Sequence, residues 1–402
     1  MGQGRIFAGV LMLTAAAASS ASAQQARKLA ADLDFRVAHD TNITGTSKAQ
    51  AALRNLKPED TTYSPNMHFD FETPLSRQLL FVRGDAGYNF HDVNKKLDSE
   101  AIAFQGGGRF RAAACSSTLT GSYRRALTQL DDLVLGAPVN NKVSQKGVKL
   151  DVSCARPTGL GVFASGSFDW ADNSQALLTP TDNRSKSYSA GVTYQRPALG
   201  TFTLFGSNAR VEYPHRPVLG GGGTDGYEMN SGGLTIDRRL GARIEGTVTV
   251  AYTSTSSLLP SSPLRPSIDF NGVTYSADLS YRPSTRLRTQ ATFERDVRPS
   301  FRLGDAYDLG ERYALRADYD LGTRITLELA GERRITDSKG TLPVTAISLT
   351  NSRVTSILGG MTYRQSRRLS IRLDYEHRER ESNSAIYNYT DDRVGLSTDL
   401  RY

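Results

Sequence analysis

The chain has 402 residues, among them 36 Gly, 18 Tyr and 15 Phe, and a mean hydropathy of −0.41. Its 49 Lys and Arg against 41 Asp and Glu leave a net charge of +8, spread without a long basic block, which argues against a nucleic-acid partner. Regular alternation with aromatics throughout argues against a disordered chain.

The first 23 residues read as an export signal: Arg5 supplies the positive start, 6–18 the apolar run, and Ala21-Ser22-Ala23 the small-residue cleavage site. The run is too short for a transmembrane anchor, so the mature chain is expected to be 24–402, starting at Gln24. Past it comes a strand over 32–40 and then a long irregular stretch, 45–64. Within that stretch 47–56 can form a short helix, either folded into a lumen or lying at the surface.

From there a short, turn-forming segment recurs roughly every forty residues, near 75, 115, 158, 198, 240, 284, 322 and 366. Thr73-Pro74-Leu75-Ser76, Arg156-Pro157-Thr158-Gly159 and Arg282-Pro283-Ser284-Thr285 are examples, each tight and rich in Pro, Gly or Ser as a hairpin requires. Between them lie longer stretches at 130–145, 173–186, 214–226, 256–272, 297–309, 335–352 and 381–389.

The flanking segments alternate with period two. Met67, Phe69 and Phe71 alternate with His68, Asp70 and Glu72; Ile244, Val248, Val250 and Tyr252 with Arg243, Glu245, Thr247 and Thr249. Leu369, Ile371, Leu373 and Tyr375 alternate with Ser370, Arg372, Asp374 and Glu376, and the chain ends on Val394, Leu396, Leu400 and Tyr402 against Arg393, Asp399 and Arg401. Such strands have one apolar and one polar face. A soluble sandwich also alternates, but the export signal, the aromatic last strand and the short–long loop asymmetry favour a transmembrane antiparallel up-and-down β-barrel in the outer membrane. Counting up–down pairs gives about 18 strands, with 16 as the alternative, short periplasmic turns and long extracellular loops. In lipid every backbone group must be paired, so the strand over 32–40 is expected to close on the last one.

The polar face then lines the interior. Its charged members are Asp34, Arg36, Arg83, Asp85, Glu245, Arg288, Glu294, Arg312, Arg316, Asp318, Glu328, Glu332, Arg372, Asp374, Glu376, Arg393, Asp399 and Arg401. Rings of one sign would predict ion selectivity; mixed signs read as ion pairs across neighbouring strands. Cys115 and Cys154 fall at the periplasmic end of one hairpin, where an oxidising compartment favours a disulfide; the alternative is two free thiols out of register. The histidines His39, His68, His91, His215 and His377 form no metal or catalytic spacing, no GxSxG occurs, and the run Gly220 to Gly223 lacks the strand and helix of a phosphate loop. No enzyme, metal or cofactor is expected. Arg367-Arg368 reads as a solvated turn.

The opening strand and its exit, LDFRVAHDTNIT from Leu33, resembles the start of the outer-membrane β-barrel porin family found with exopolysaccharide genes (EpsL-like proteins), with Asp40, Asn42 and Ile43 matching its Asp-x-Asn-aliphatic motif. Tyr281-Arg282-Pro283 and Tyr194-Gln195-Arg196-Pro197 are also similar to that family's turn entries. The resemblance implies a channel or scaffold in polysaccharide secretion and no catalytic residues. A diffusion porin for small solutes and a non-transport surface barrel are the other expectations. Expected partners are outer-membrane lipid and lipopolysaccharide, the barrel-assembly machinery and a polysaccharide export complex.

Overall fold

The computed structural model describes residues 27–128, 138–218, 223–260, 269–300, 302, 305–340 and 349–401. The expected export signal 1–23, Gly220 to Gly222 and Tyr402 lie outside the described residues, as do parts of the stretches 130–145, 214–226, 256–272, 297–309 and 335–352. Among the described residues eighteen strands form one sheet: β1 (Lys28–Asp40), β2 (Asp60–Leu75), β3 (Gln78–His91), β4 (Ser99–Ala112), β5 (Cys115–Leu127), β6 (Lys142–Ala155), β7 (Gly159–Asn173), β8 (Asn183–Arg196), β9 (Gly200–Tyr213), β10 (Asp225–Leu240), β11 (Ile244–Ser257), β12 (Phe270–Tyr281), β13 (Leu287–Pro299), β14 (Asp305–Leu321), β15 (Ile325–Gly340), β16 (Asn351–Arg364), β17 (Leu369–Ser382) and β18 (Tyr389–Arg401).

Each strand pairs antiparallel with the next, and β1 pairs with both β2 and β18. At the seam the register runs from Asp32 opposite Arg401 to Asp40 opposite Arg393, so the sheet has no edge to leave unpaired in hydrocarbon. The short connections are tight. Ser76 and Ala113 adopt left-handed φ of 59° and 52° in two-residue hairpins, a conformation that matches the twist of the flanking strands. Gly322 supplies φ 75° in the three-residue turn between β14 and β15.

The alternation fixes which face is which. Leu33, Phe35, Leu204, Val250, Leu329, Leu373 and Leu396 stand exposed on the outer face, while their chain neighbours face inward. Two aromatic levels bound this apolar belt. Tyr63, Tyr88, Trp170, Tyr188, Tyr252 and Tyr375 mark the long-loop side, and Tyr194, Tyr281 and Tyr319 the short-turn side. Amphipathic rings sit at the headgroup level of a bilayer, so these levels locate the membrane on the wall.

The strands continue past the upper aromatic level, and here the structure corrects the predicted loop bounds. β2 already starts at Asp60 and β15 runs on to Gly340, inside stretches expected to be irregular. Beyond Tyr375 the outward residues of β17 are His377, Glu379 and Glu381, and beyond Tyr188 those of β8 are Lys186 and Arg184. Both faces are polar there, so the hydropathy alternation disappears although the backbone ladder persists. Cys115 likewise opens β5 and lies just past the turn in which it was expected.

At the long-loop end, α1 (Lys48–Leu53) begins at Ser47, whose side chain accepts from the Gln50 N–H. Ser47 N–H donates to Ile386 O, seating the segment on the β17–β18 loop. Leu56, Leu97, Val139 and Leu178, from four different loops, share a small buried cluster that gathers these loops over the rim.

Leu396 lies mid-strand on β18, opposite Val37 and Leu373. Leu396→Arg is expected to cost about 2–4 kcal/mol in guanidinium unfolding of the reconstituted barrel, followed by loss of the folded band on unheated gels. An unchanged midpoint would contradict the lipid-facing assignment.

Candidate functional site: the polar interior

One wall of the interior is a charge ladder that runs from β14 to β1. Arg36 of β1 donates two hydrogen bonds to Asp374 of β17, Nη1 to Oδ1 at 3.0 Å and Nη2 to Oδ2 at 2.7 Å. The pair spans the intervening β18, and Gly395 is the reason it fits: a Cβ there would stand 2.8 Å from Arg36 Cζ and 2.9 Å from Asp374 Oδ2. The same device recurs one step on. Arg372 Nη1 donates to Glu328 Oε2 at 2.6 Å across β16, over Gly360, where a Cβ would lie 2.8 Å from Arg372 Nη2. Arg372 Nε is 3.5 Å from Asp374 Oδ1, Arg316 is 3.4 Å from Glu328, and Arg316 Nε donates to Asp318 Oδ1 at 3.0 Å.

The ladder therefore alternates in sign: Arg36, Asp374, Arg372, Glu328, Arg316, Asp318. Bidentate guanidinium–carboxylate geometry makes the Arg36–Asp374 link both strong and directional. The side chains of Arg36 and Asp374 are only 9% and 1% exposed, so this pair is shielded from the screening that weakens surface pairs.

The other predicted interior charges fall around this ladder. Arg312 and Arg334 both donate to Glu332, each at 2.8 Å, and Glu294 faces Arg312 across β13 and β14. Arg393 joins Glu376 and lies 3.7 Å from Asp40. Arg83 joins Glu72 and, at 3.1 Å, Asp70, while Asp85 meets His68. Arg288 is registered opposite Asp318, Asp34 opposite Asp399, and Arg401 opposite Asp32. Glu245 pairs with Arg239 at 3.1 Å near a short turn, apart from the ladder.

The facing wall, β7 to β12, differs in kind. Ser165 and Ser189 are 2.8 Å apart, Ser167 and Ser187 2.9 Å, Ser231 and Thr253 2.9 Å, Thr253 and Thr274 2.8 Å, Thr235 and Thr249 2.9 Å. Hydroxyls both donate and accept, so these rows form a polar surface, into which Asp169, Asp237 and Asp278 set carboxylates that accept from Ser167, Thr247 and Thr292. Sequence reasoning missed this wall. Its signal was present in Ser185-Lys-Ser187-Tyr-Ser189 and Thr247-Val-Thr249, where every second residue is a hydroxyl.

The Asp40-x-Asn42-Ile43 segment acts as a latch over the seam. Asn42 N–H donates to Asp391 Oδ1 at 2.8 Å, its amide donates to Thr46 O at 2.9 Å, and Thr44 donates to Asn42 Oδ1 at 2.7 Å. Cys115 and Cys154 are registered opposite each other on β5 and β6 and joined by a disulfide, with Cα atoms 4.0 Å apart. No group of three or more His, Cys, Asp or Glu among the described residues is arranged to hold a metal ion.

A closed eighteen-stranded meander with an apolar outer belt, aromatic levels and a polar interior is an outer-membrane porin barrel. The chain belongs to the family described as putative beta-barrel porin 2, which matches residues 28–402. Among solved structures it is similar to Pseudomonas aeruginosa OccK2 (OpdF) in complex with glucuronate, at 13% identity and TM-score 0.49, over 93% of this chain and 98% of that one. It is also similar to Acinetobacter baumannii OccAB3, at 12% identity and TM-score 0.49, over 93% and 100%. A bacterial polysaccharide outer membrane secretin is similar at 10% identity and TM-score 0.36, over 92% and 98%. No curated protein matches the chain.

Removing one member of a buried ion pair leaves the other uncompensated. Asp374→Ala is expected to cost about 3–5 kcal/mol in denaturant unfolding, whereas Arg36→Met combined with Asp374→Leu is expected to recover most of that loss. A single variant as stable as the parent would show that the pair carries no stability. For Cys115 and Cys154, denatured protein is expected to take up thiol label only after reductant; labelling without reductant would show free thiols.

Proposed function

We propose that the chain is an outer-membrane diffusion channel for small, polyhydroxylated, weakly charged or uncharged solutes. The observation that carries this reading is the pairing of two unlike walls, an ion-pair ladder of alternating sign and a facing surface dominated by Ser and Thr hydroxyls, with three carboxylates hydrogen-bonded among them. A ring of one charge sign selects ions; a ladder neutralised within itself does not. Hydroxyl rows and fixed guanidinium–carboxylate pairs offer donors and acceptors to a solute that carries many hydroxyls of its own. Barrels of this strand number leave an aqueous path when no segment fills it.

A role in exopolysaccharide secretion is the second reading. It is favoured by the resemblance carried by Asp40, Asn42 and Ile43, and the interior chemistry suits a saccharide chain as well as a free sugar. In this reading the latch that those residues form at the seam is scaffolding, and the hydroxyl wall is the surface that the polymer meets.

The full chain in proteoliposomes is expected to pass neutral sugars while showing weak preference between small cations and anions. Impermeability to sugars, or strong selectivity for one sign of ion, would overturn the diffusion reading. Deletion of the gene is expected to lower the amount or length of secreted polysaccharide if the second reading holds; unchanged secretion would sink it.

A further inference from the structure

The outer wall between β2 and β8 carries a feature that transport does not use. Gly106 and Gly121 are registered opposite each other on the outward faces of β4 and β5, flanked in the same row by Val82 and Val148. A Cβ on Gly121 would have its nearest neighbour 3.9 Å away, and one on Gly106 3.6 Å away, so either position would take a side chain at ordinary van der Waals contact and carries none. The result is a groove of about 590 Å³ walled by Phe104, Tyr123, Val148 and Trp170 and capped by Lys146. It lies within the apolar belt, just below the upper aromatic level.

Cations continue from that cap along the headgroup level. Lys146 is registered opposite Trp170, Trp170 opposite Arg184, and Lys186 directly opposite Arg210. Like charges directly opposite one another on a sheet repel. Acid partners offset only part of this: Lys146 is 3.6 Å from Asp172, and Arg210 is 2.8 Å from Glu212. Glu228, opposite Arg210, also donates negative charge to the row but accepts from Asn208. Arg184 and Lys186 are exposed; Arg184 is registered opposite Glu212, the acid that pairs with Arg210, and neither Arg184 nor Lys186 has an ion-pair partner within 4 Å among the described residues, so four cations share three acids, Asp172, Glu212 and Glu228.

We propose that this surface binds a phosphorylated glycolipid of lipid A type, with an acyl chain in the glycine-floored groove and phosphates on Lys146, Arg184, Lys186 and Arg210. Two independent features meet here: an apolar slot at hydrocarbon depth and an under-neutralised cationic row at headgroup height, on the long-loop side that faces the outer leaflet. Charge complementarity decides for a lipid bearing phosphate over a second copy of the chain, whose own cationic row would repel. The site rests on placement in the outer membrane and is independent of what crosses the lumen.

Trp170 is the only tryptophan of the chain and lines the groove, so its fluorescence reports occupancy. Titrating the detergent-solubilised full chain with diphosphoryl lipid A is expected to give a saturable change. The combined Arg184→Gln, Lys186→Gln and Arg210→Gln variant is expected to bind at least about tenfold more weakly, since each cation near an anionic lipid surface contributes to attraction. Gly121→Leu, which fills the groove without striking backbone, is expected to weaken binding while retaining heat-modifiable migration. The proposal is overturned if the parent shows no saturable change, if both variants bind as the parent does, if phosphatidylglycerol binds as tightly, or if the fluorescence follows protein concentration without lipid, which would place a second copy in the groove.

Discussion

The structure depends on one constraint: within hydrocarbon no backbone N–H or C=O can be left without a partner. A sheet meets that condition only by closing on itself, and closure here falls between β1 and β18. The register at that seam then dictates the rest. Once Asp34 faces Asp399 and Val37 faces Leu396, every second residue of both strands is committed to the interior and every other one to lipid. A one-residue slip would turn the Arg36 side outward, into the bilayer.

The interior meets the opposite problem, because an arginine there has lost part of its water. Pairing with the nearest strand is only one of the solutions found. Arg316 and Asp318 lie two residues apart on the same strand, whereas Arg36 and Arg372 each reach over a whole strand to find a carboxylate. The spanning links need a strand with no side chain at the crossing point, and β18 and β16 supply Gly395 and Gly360 there. The facing wall relies on hydroxyls, which satisfy one another in pairs and donate to its few carboxylates. The two walls are thus different answers to the same desolvation cost.

Much of the fold was legible because its determinants are local. Period-two alternation in segments such as 369–376 places each side chain by counting, and the Pro-, Gly- and Ser-rich turns mark where the count restarts. The closing partner of the strand over 32–40 followed from the need to remove edges. Strand tops were not legible: past Tyr375 or Tyr188 both faces are polar, and only hydrogen bonding shows that His377 or Lys186 still belongs to a strand. The specific partner of each interior arginine was also hidden. Arg36 and Asp374 stand 338 positions apart, and the glycine that joins their fates belongs to a third segment. The hydroxyl wall was overlooked because Ser and Thr are commonplace in polar loops as well as in strands.

The crossing at Gly395 changes what counts as a single mutational step. Arg36, Gly395 and Asp374 come from three separate strands, yet none can be altered alone at low cost: any side chain at 395 strikes the pair, and loss of either charge strands the other. Change at this point has to pass through at least a double substitution. Related chains that keep the arrangement should therefore vary at these three positions as a block, a correlation that links residues whose strands are not even neighbours for the outer two.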